Sequence, residues 1–184
     1  MSSLTVKNPE ADTQVSELAT KAFEKVAPRW RLFLPNITIV VSSKPFHEIP
    51  ELREFREAQD AQLEWEDIQV ICPEIDSSEA TIWLHYDTAS IMADRGYYFQ
   101  KEFFGVLAKI IWVHSPEMHQ EAKKRATGIA QDSEGAAYMA FRDSFSRFFL
   151  NPRYLRERKP AAWAFMQALD NFAKQRSKQL AVIQ

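Results

Sequence analysis

Residues 97–113 constrain the fold of this chain more than any other segment. Phe99, Phe103, Val106, Leu107, Ile110 and Ile111 recur there at helical spacing, and the run is apolar over more than one face. Such a helix is stable only when other elements surround it, which predicts a central helix. A bilayer is not the surrounding, because no stretch of the chain reaches the roughly 20 apolar residues needed to span one. The remaining sequence can supply the cover. Of the 184 residues 46% are hydrophobic and 12% aromatic, including 13 Phe and 5 Trp. With 26% charged residues, that balance is ordinary for a globular domain and excludes intrinsic disorder.

The order of the other elements sets the fold class. Residues 1–11 read as an extended arm. Asp12 is a plausible N-cap for a helix whose apolar positions are Val15, Leu18, Ala19, Ala22, Phe23 and Val26, ended near Pro28. The β-branched run Ile37–Val41 reads as a buried strand. Pro45 and Pro50 bracket a turn, and Leu52, Phe55, Ala58 and Leu63 predict a second helix. Ile68–Cys72 and Ala80–Tyr86 are two more strand candidates, joined by the polar segment Cys72–Glu79. From Arg95 the chain reads as helical to the end. Pro116 starts a shorter polar helix to about Ala130, Gly135–Leu150 forms another, stopped at Asn151–Pro152, and Pro160 opens the last. Strands early and helices late give an α+β fold with one domain over residues 12–176 and a tail over 177–184.

Composition narrows the chemistry. Four glycines argue against a glycine-rich phosphate loop, and a net charge of -2 carries no global basic excess toward nucleic acid. Cys72 is the only cysteine, so neither an intrachain disulfide nor a four-cysteine zinc site can form. Its default reading is a small apolar core residue. The N-terminal residues lack the apolar core of a signal peptide, so the expected location is a reduced cytoplasm. No two of His47, His85, His114 and His119 stand four apart, the spacing that puts two ligands on one helical face. His114 and His119 straddle a helix junction and read as surface residues or, less favoured, as a metal-ligand pair. His85, in a strand, reads as half-buried and hydrogen-bonded. There is no Gly-x-Ser-x-Gly elbow. The basic run Arg153–Lys159, with its one aromatic, reads as a solvated interhelical loop or, less favoured, as a contact to nucleic acid.

One longer pattern covers the C-terminal half: Phe141-Arg142-Asp143-Ser144-Phe145-Ser146-Arg147-Phe148-Phe149-Leu150-Asn151-Pro152, then Pro160-Ala161-Ala162-Trp163-Ala164-Phe165. It resembles the end of zincin metallopeptidases of the anthrax lethal factor type, a family with phage and toxin relatives. The resemblance implies a zincin-like fold with an N-terminal helix, a small sheet and a central helix carrying His-Glu-x-x-His. It implies that Asp143 stands where the family has its third zinc ligand, a glutamate. Within the central helix, Glu102 matches the family's general base. Lys101 stands in place of the first histidine and Gly105 in place of the second. A lysine ammonium offers no lone pair and glycine has no side chain, so two of the ligands a catalytic zinc needs are missing.

The resemblance therefore implies a vestigial site made of Lys101, Glu102, Gly105 and Asp143, with no metal or other cofactor. Lys101 is expected to lie in the vacated space, paired with Asp143. The function expected is a non-catalytic binding or structural component with a protein partner, in a virion or facing a host protein; the high aromatic content fits such an interface. Nucleic acid and membrane are not expected partners, and oligomeric state is not legible. A different class of function is a metal-independent hydrolase in which Glu102 and Asp143 form a carboxylate pair.

Overall fold

The computed structural model describes residues 2–8, 11–59, 69–85, 96–126, 129 and 133–183. The fold is α+β, with a four-stranded sheet built by the first half of the chain and helices by the second. Leu63, Ile68, Tyr86, Arg95 and Ala130, which the sequence assigned to element ends, lie outside the described residues.

The segment expected to be an arm contributes the first strand. β1 (Leu4–Lys7) pairs in parallel with β2 (Asn36–Val41), Leu4 opposite Ile37 and Val6 opposite Ile39. Between them runs α1 (Thr13–Lys25), capped by Asp12, whose carboxylate accepts from the Val15 N–H at 3.0 Å. A one-turn α2 (Pro28–Arg31) follows. The strand order is β1-β2-β4-β3, where β3 is Val70–Ile75 and β4 is Glu79–Leu84. β4 is parallel to β2, and β3 is an antiparallel edge. The segment expected as a loop from Cys72 is therefore strand as far as Ile75. Pro73 has no N–H for a ladder, and the register slips between Ile71 and Glu74 to accommodate it.

β2 is buried along both faces, as its β-branched run demands. Ile37, Ile39 and Val41 join the main core with Ile82 and Leu84. The opposite face carries a smaller core in which Phe46, Ile49 and Leu52 meet Ile71 and the half-buried Phe55 and Trp83. This cover comes from two 3-10 turns, Phe46–Glu48 and Pro50–Leu52, and from the short α3 (Arg53–Glu57), where a single longer helix was expected.

α4 (Tyr97–His114) is the central helix. Phe99, Phe103, Phe104, Leu107, Ile110 and Ile111 are each at most 1% exposed, so its apolar faces are covered on several sides. It starts at Gly96, whose φ of 73° is open to glycine at no steric cost. α5 (Pro116–Ala126) turns back from it, and α6 (Glu134–Leu150) lies antiparallel to it. Trp112 near one end of α4 meets Tyr138 and Phe141, and the Lys101 carbonyl near the other accepts from Ser146 Oγ.

The basic run is not a loop. It forms α7 (Pro152–Arg158), because Asn151 Oδ1 accepts from the Tyr154 N–H at 3.0 Å and Pro152 occupies the first helical turn. α8 (Pro160–Ile183) then extends through the residues expected as a tail. Among the described residues no helix is long and apolar enough to cross a membrane.

Candidate functional site

The face shared by α4 and α6 holds three of the four residues singled out in the sequence, together with one that was not. Gly105 leaves α4 without a side chain where it faces Arg142 of α6. The Arg142 guanidinium fills that space, and a Cβ on Gly105 would stand 3.0 Å from Arg142 Nε. Arg142 also donates to Glu102 Oε2 at 3.3 Å, an ion pair with both side chains partly exposed. Lys101 is half-buried one turn before Gly105. Tyr98, one turn before Glu102, is 63% exposed and packs edge-on against Tyr97. This face therefore presents an exposed tyrosine, a lysine and an arginine–glutamate pair.

Asp143 does not join them. It is exposed and lines a groove of about 230 Å³ between α6, α7 and α8, with Ser144, Arg147, Leu155 and Lys159. The expected Lys101–Asp143 pairing is therefore not formed. The reason is helical phase: consecutive residues point about 100° apart, so when Arg142 faces α4 its neighbour Asp143 turns away. Glu102 and Asp143 likewise do not meet as a carboxylate pair. Arg142 sits in the quoted motif, and its signal was available. A cation directly beside Asp143, on a helix required to face a glutamate and a glycine, is the residue that can both pair and fill.

The remaining candidates fall into structural roles. His85 Nδ1 lies 3.1 Å from the Ser42 carbonyl, and the ring is half-buried. His119 stacks on Trp112 with ring centres 4.2 Å apart and faces Glu134 at 3.4 Å. Burial pushes the Cys72 thiol up to about 12, so it stays protonated and unreactive, with its Sγ toward the Glu74 carbonyl. On α7, Arg153 pairs with Glu157 at 2.9 Å, and Arg147 of α6 lies over the Tyr154 ring.

A buried charge that the sequence reading did not single out is Asp170 on α8, at 6% exposure. It receives Arg29 through both oxygens at 2.6 and 3.0 Å, the Trp30 indole N–H at 2.8 Å, and Lys174 at 3.0 Å. Burial alone would raise its carboxyl; the bonds from Arg29, Lys174 and Trp30 outweigh that and hold it below the usual range. With all its donors supplied by the fold, Asp170 ties α2 to α8 and offers nothing to a ligand.

No protein-family model matches the chain, and no curated protein does. A zinc ion, which the zincin resemblance brings with it, does not fit the residues present. Where the second imidazole would project there is a guanidinium, and at the first histidine's position there is a lysine. Two cations repel a divalent metal and supply no lone pair. Among the described residues no three of His, Cys, Asp and Glu converge on one point as a ligand set.

Proposed function

We propose that this chain is a non-catalytic, zincin-like protein that binds another protein through the α4–α6 face. The observation that carries the reading is Arg142, seated on Gly105 and paired with Glu102. A peptidase needs its glutamate free to take a proton from water. Here the Glu102 carboxylate is instead engaged by the Arg142 guanidinium at 3.3 Å. The resemblance put Asp143, not Arg142, opposite Gly105, so the zincin-like part of the proposal rests on the sequence pattern alone.

The binding half of the proposal rests on what that face exposes. Most of the aromatic residues that suggested an interface in the sequence build the core instead, Trp30, Phe99, Phe103, Phe104, Phe141 and Phe145 among them. Tyr98 and Arg142 remain outside, and tyrosine and arginine are the residue types that anchor protein interfaces. The family's phage and toxin relatives direct the search for a partner to virion and host proteins.

The test is a hydrolysis assay on an unstructured protein substrate, with and without added zinc. The expected result is no cleavage above buffer in either condition. Cleavage that disappears in Glu102→Gln would overturn the proposal, since it would show Glu102 acting as a base.

A further inference from the structure

We propose that the edge of β1 away from β2, with the exposed face of α1 beside it, takes an extended, basic peptide segment of another protein as an added strand. The site shares no residue with the α4–α6 face and stands independently of the zincin resemblance.

The backbone supplies the first part of the site. The Ile37 N–H donates to the Ser3 carbonyl at 2.8 Å, and β1 continues in parallel register with β2 to Lys7. Main-chain groups alternate sides along a strand, so those of Ser3, Thr5 and Lys7 turn toward β2. Those of Leu4 and Val6 turn the other way. Among the described residues no strand pairs with that side. Such an edge is a template for another strand, and a lone exposed Lys7 at its end is the only charge on β1 that blunts it.

Side chains supply the second part. Leu4 and Val6 point to the α1 side and pack partly buried against the main core, while Thr5 and Lys7 are exposed on the other face. Val6 and α1 enclose a groove of about 400 Å³, along which Thr13, Glu17, Thr20 and Glu24 follow at helical spacing. A strand added at the edge would lay alternate side chains into this groove. Backbone bonds would then hold the segment, and the groove would select its side chains.

Charge chooses the occupant. Glu17 is paired with Lys21 at 3.1 Å, whereas the Glu24 carboxylate makes no ion pair among the described residues. Among the described residues the groove lining thus carries one more carboxylate than cation, which favours a lysine or arginine on the incoming strand. A second copy of this chain would bring a second Glu24 toward the contact in place of a cation, and like charges disfavour it.

The probe is a capped seven-residue peptide with valine, lysine and valine on one face and threonine on the other, titrated into isotope-labelled protein. The Leu4 and Val6 amides are expected to shift and to gain protection from hydrogen exchange, while Thr5 and Lys7, already bonded to β2, keep theirs. Replacing the peptide lysine with glutamate, or Glu24→Lys in the protein, is expected to weaken binding by about two- to fivefold. Val6→Pro removes an outward N–H that the fold does not use, so it is expected to fold and to lose binding. Binding that survives in folded Val6→Pro, or shifts confined to other residues, would overturn the proposal. So would a concentration-dependent dimer that Val6→Pro abolishes, because the occupant would then be a second copy. If Val6→Pro does not fold, Glu24→Lys decides: unchanged affinity for the lysine peptide rejects the site.

Discussion

At Asp170, a carboxylate that burial would neutralise is kept charged by three neighbours. Arg29 contributes a two-pronged bond, Trp30 its indole N–H, and Lys174 a bond from the next turn of α8. Asp170→Asn keeps the volume and one acceptor but turns an amide donor toward Arg29. We expect it to cost about 2 kcal/mol at neutral pH, below the range for fully buried pairs because Arg29 and Lys174 are partly exposed. The sign with pH follows from the lowered carboxyl. Its stabilisation is complete above the unfolded value near pH 4 and is lost as pH falls through the lower folded value. Urea melts of wild type and variant are therefore expected to differ by that amount at pH 7 and to draw together as pH falls below the unfolded value. A difference that does not shrink anywhere in the acid range would show that shape, not charge, is what the asparagine disturbs. Sequence periodicity does not reveal Asp170, since it marks apolar positions and not the distant cation that allows an acid to be buried.

At the scale of elements, α6 and α7 meet at Asn151, which ends one helix and caps the next. Its N–H donates to the Arg147 carbonyl at 2.8 Å, and its side chain accepts from Tyr154. Asn151→Ala is expected to lower stability by about 1 kcal/mol. A thermal melt measures this, and Asn151→Asp, which keeps the acceptor, should recover most of it. Loss of the same size in both variants would mean that the cap is not what stabilises the junction. The same Asn-Pro pair shows why some elements were legible and others were not. Read as a stop, it ends α6 correctly, yet asparagine before proline is equally the start of a helix, and the charged run after it hid α7. α1, β2, α4 and α8 were readable because each buries a periodic face or a continuous apolar run. β1 was not, because four residues alternating half-buried and exposed become a strand only through β2, some thirty residues on. The second half of β3, beyond the strand read to Cys72, was hidden by Pro73, whose tolerance depends on a bulge that no local pattern announces.

At the scale of the whole molecule, the issue is whether α4 and α6 enclose the remains of a metal site. Helical phase places Arg142, and not Asp143, opposite Gly105, so a rebuilt site makes different demands according to whether its acid comes from position 142 or 143. Lys101→His with Gly105→His restores two imidazoles four residues apart but leaves the Arg142 guanidinium where the second must stand. This double variant is expected to show no response to zinc. Adding Arg142→Glu exchanges the obstructing cation for a carboxylate on the facing helix, and this triple variant is expected to bind. Zinc at about 100 times its dissociation constant would then stabilise it by about 2.7 kcal/mol, a rise of roughly 5–10 °C in Tm for a chain of this length. The companion variant with Arg142→Ala separates the carboxylates, since Asp143 is then the nearest acid on α6, with Glu134 about two turns away at its start. A shift there as large as in the triple variant would return the ligand position to Asp143. Helix propensity enters equally in all three, because each replaces Gly105, so the comparison isolates the metal. If the triple variant folds cooperatively and its Tm ignores zinc, the correspondence of α4 with a metal-binding helix fails. Arg142 on Gly105 would then be a packing contact between two helices that never held an ion.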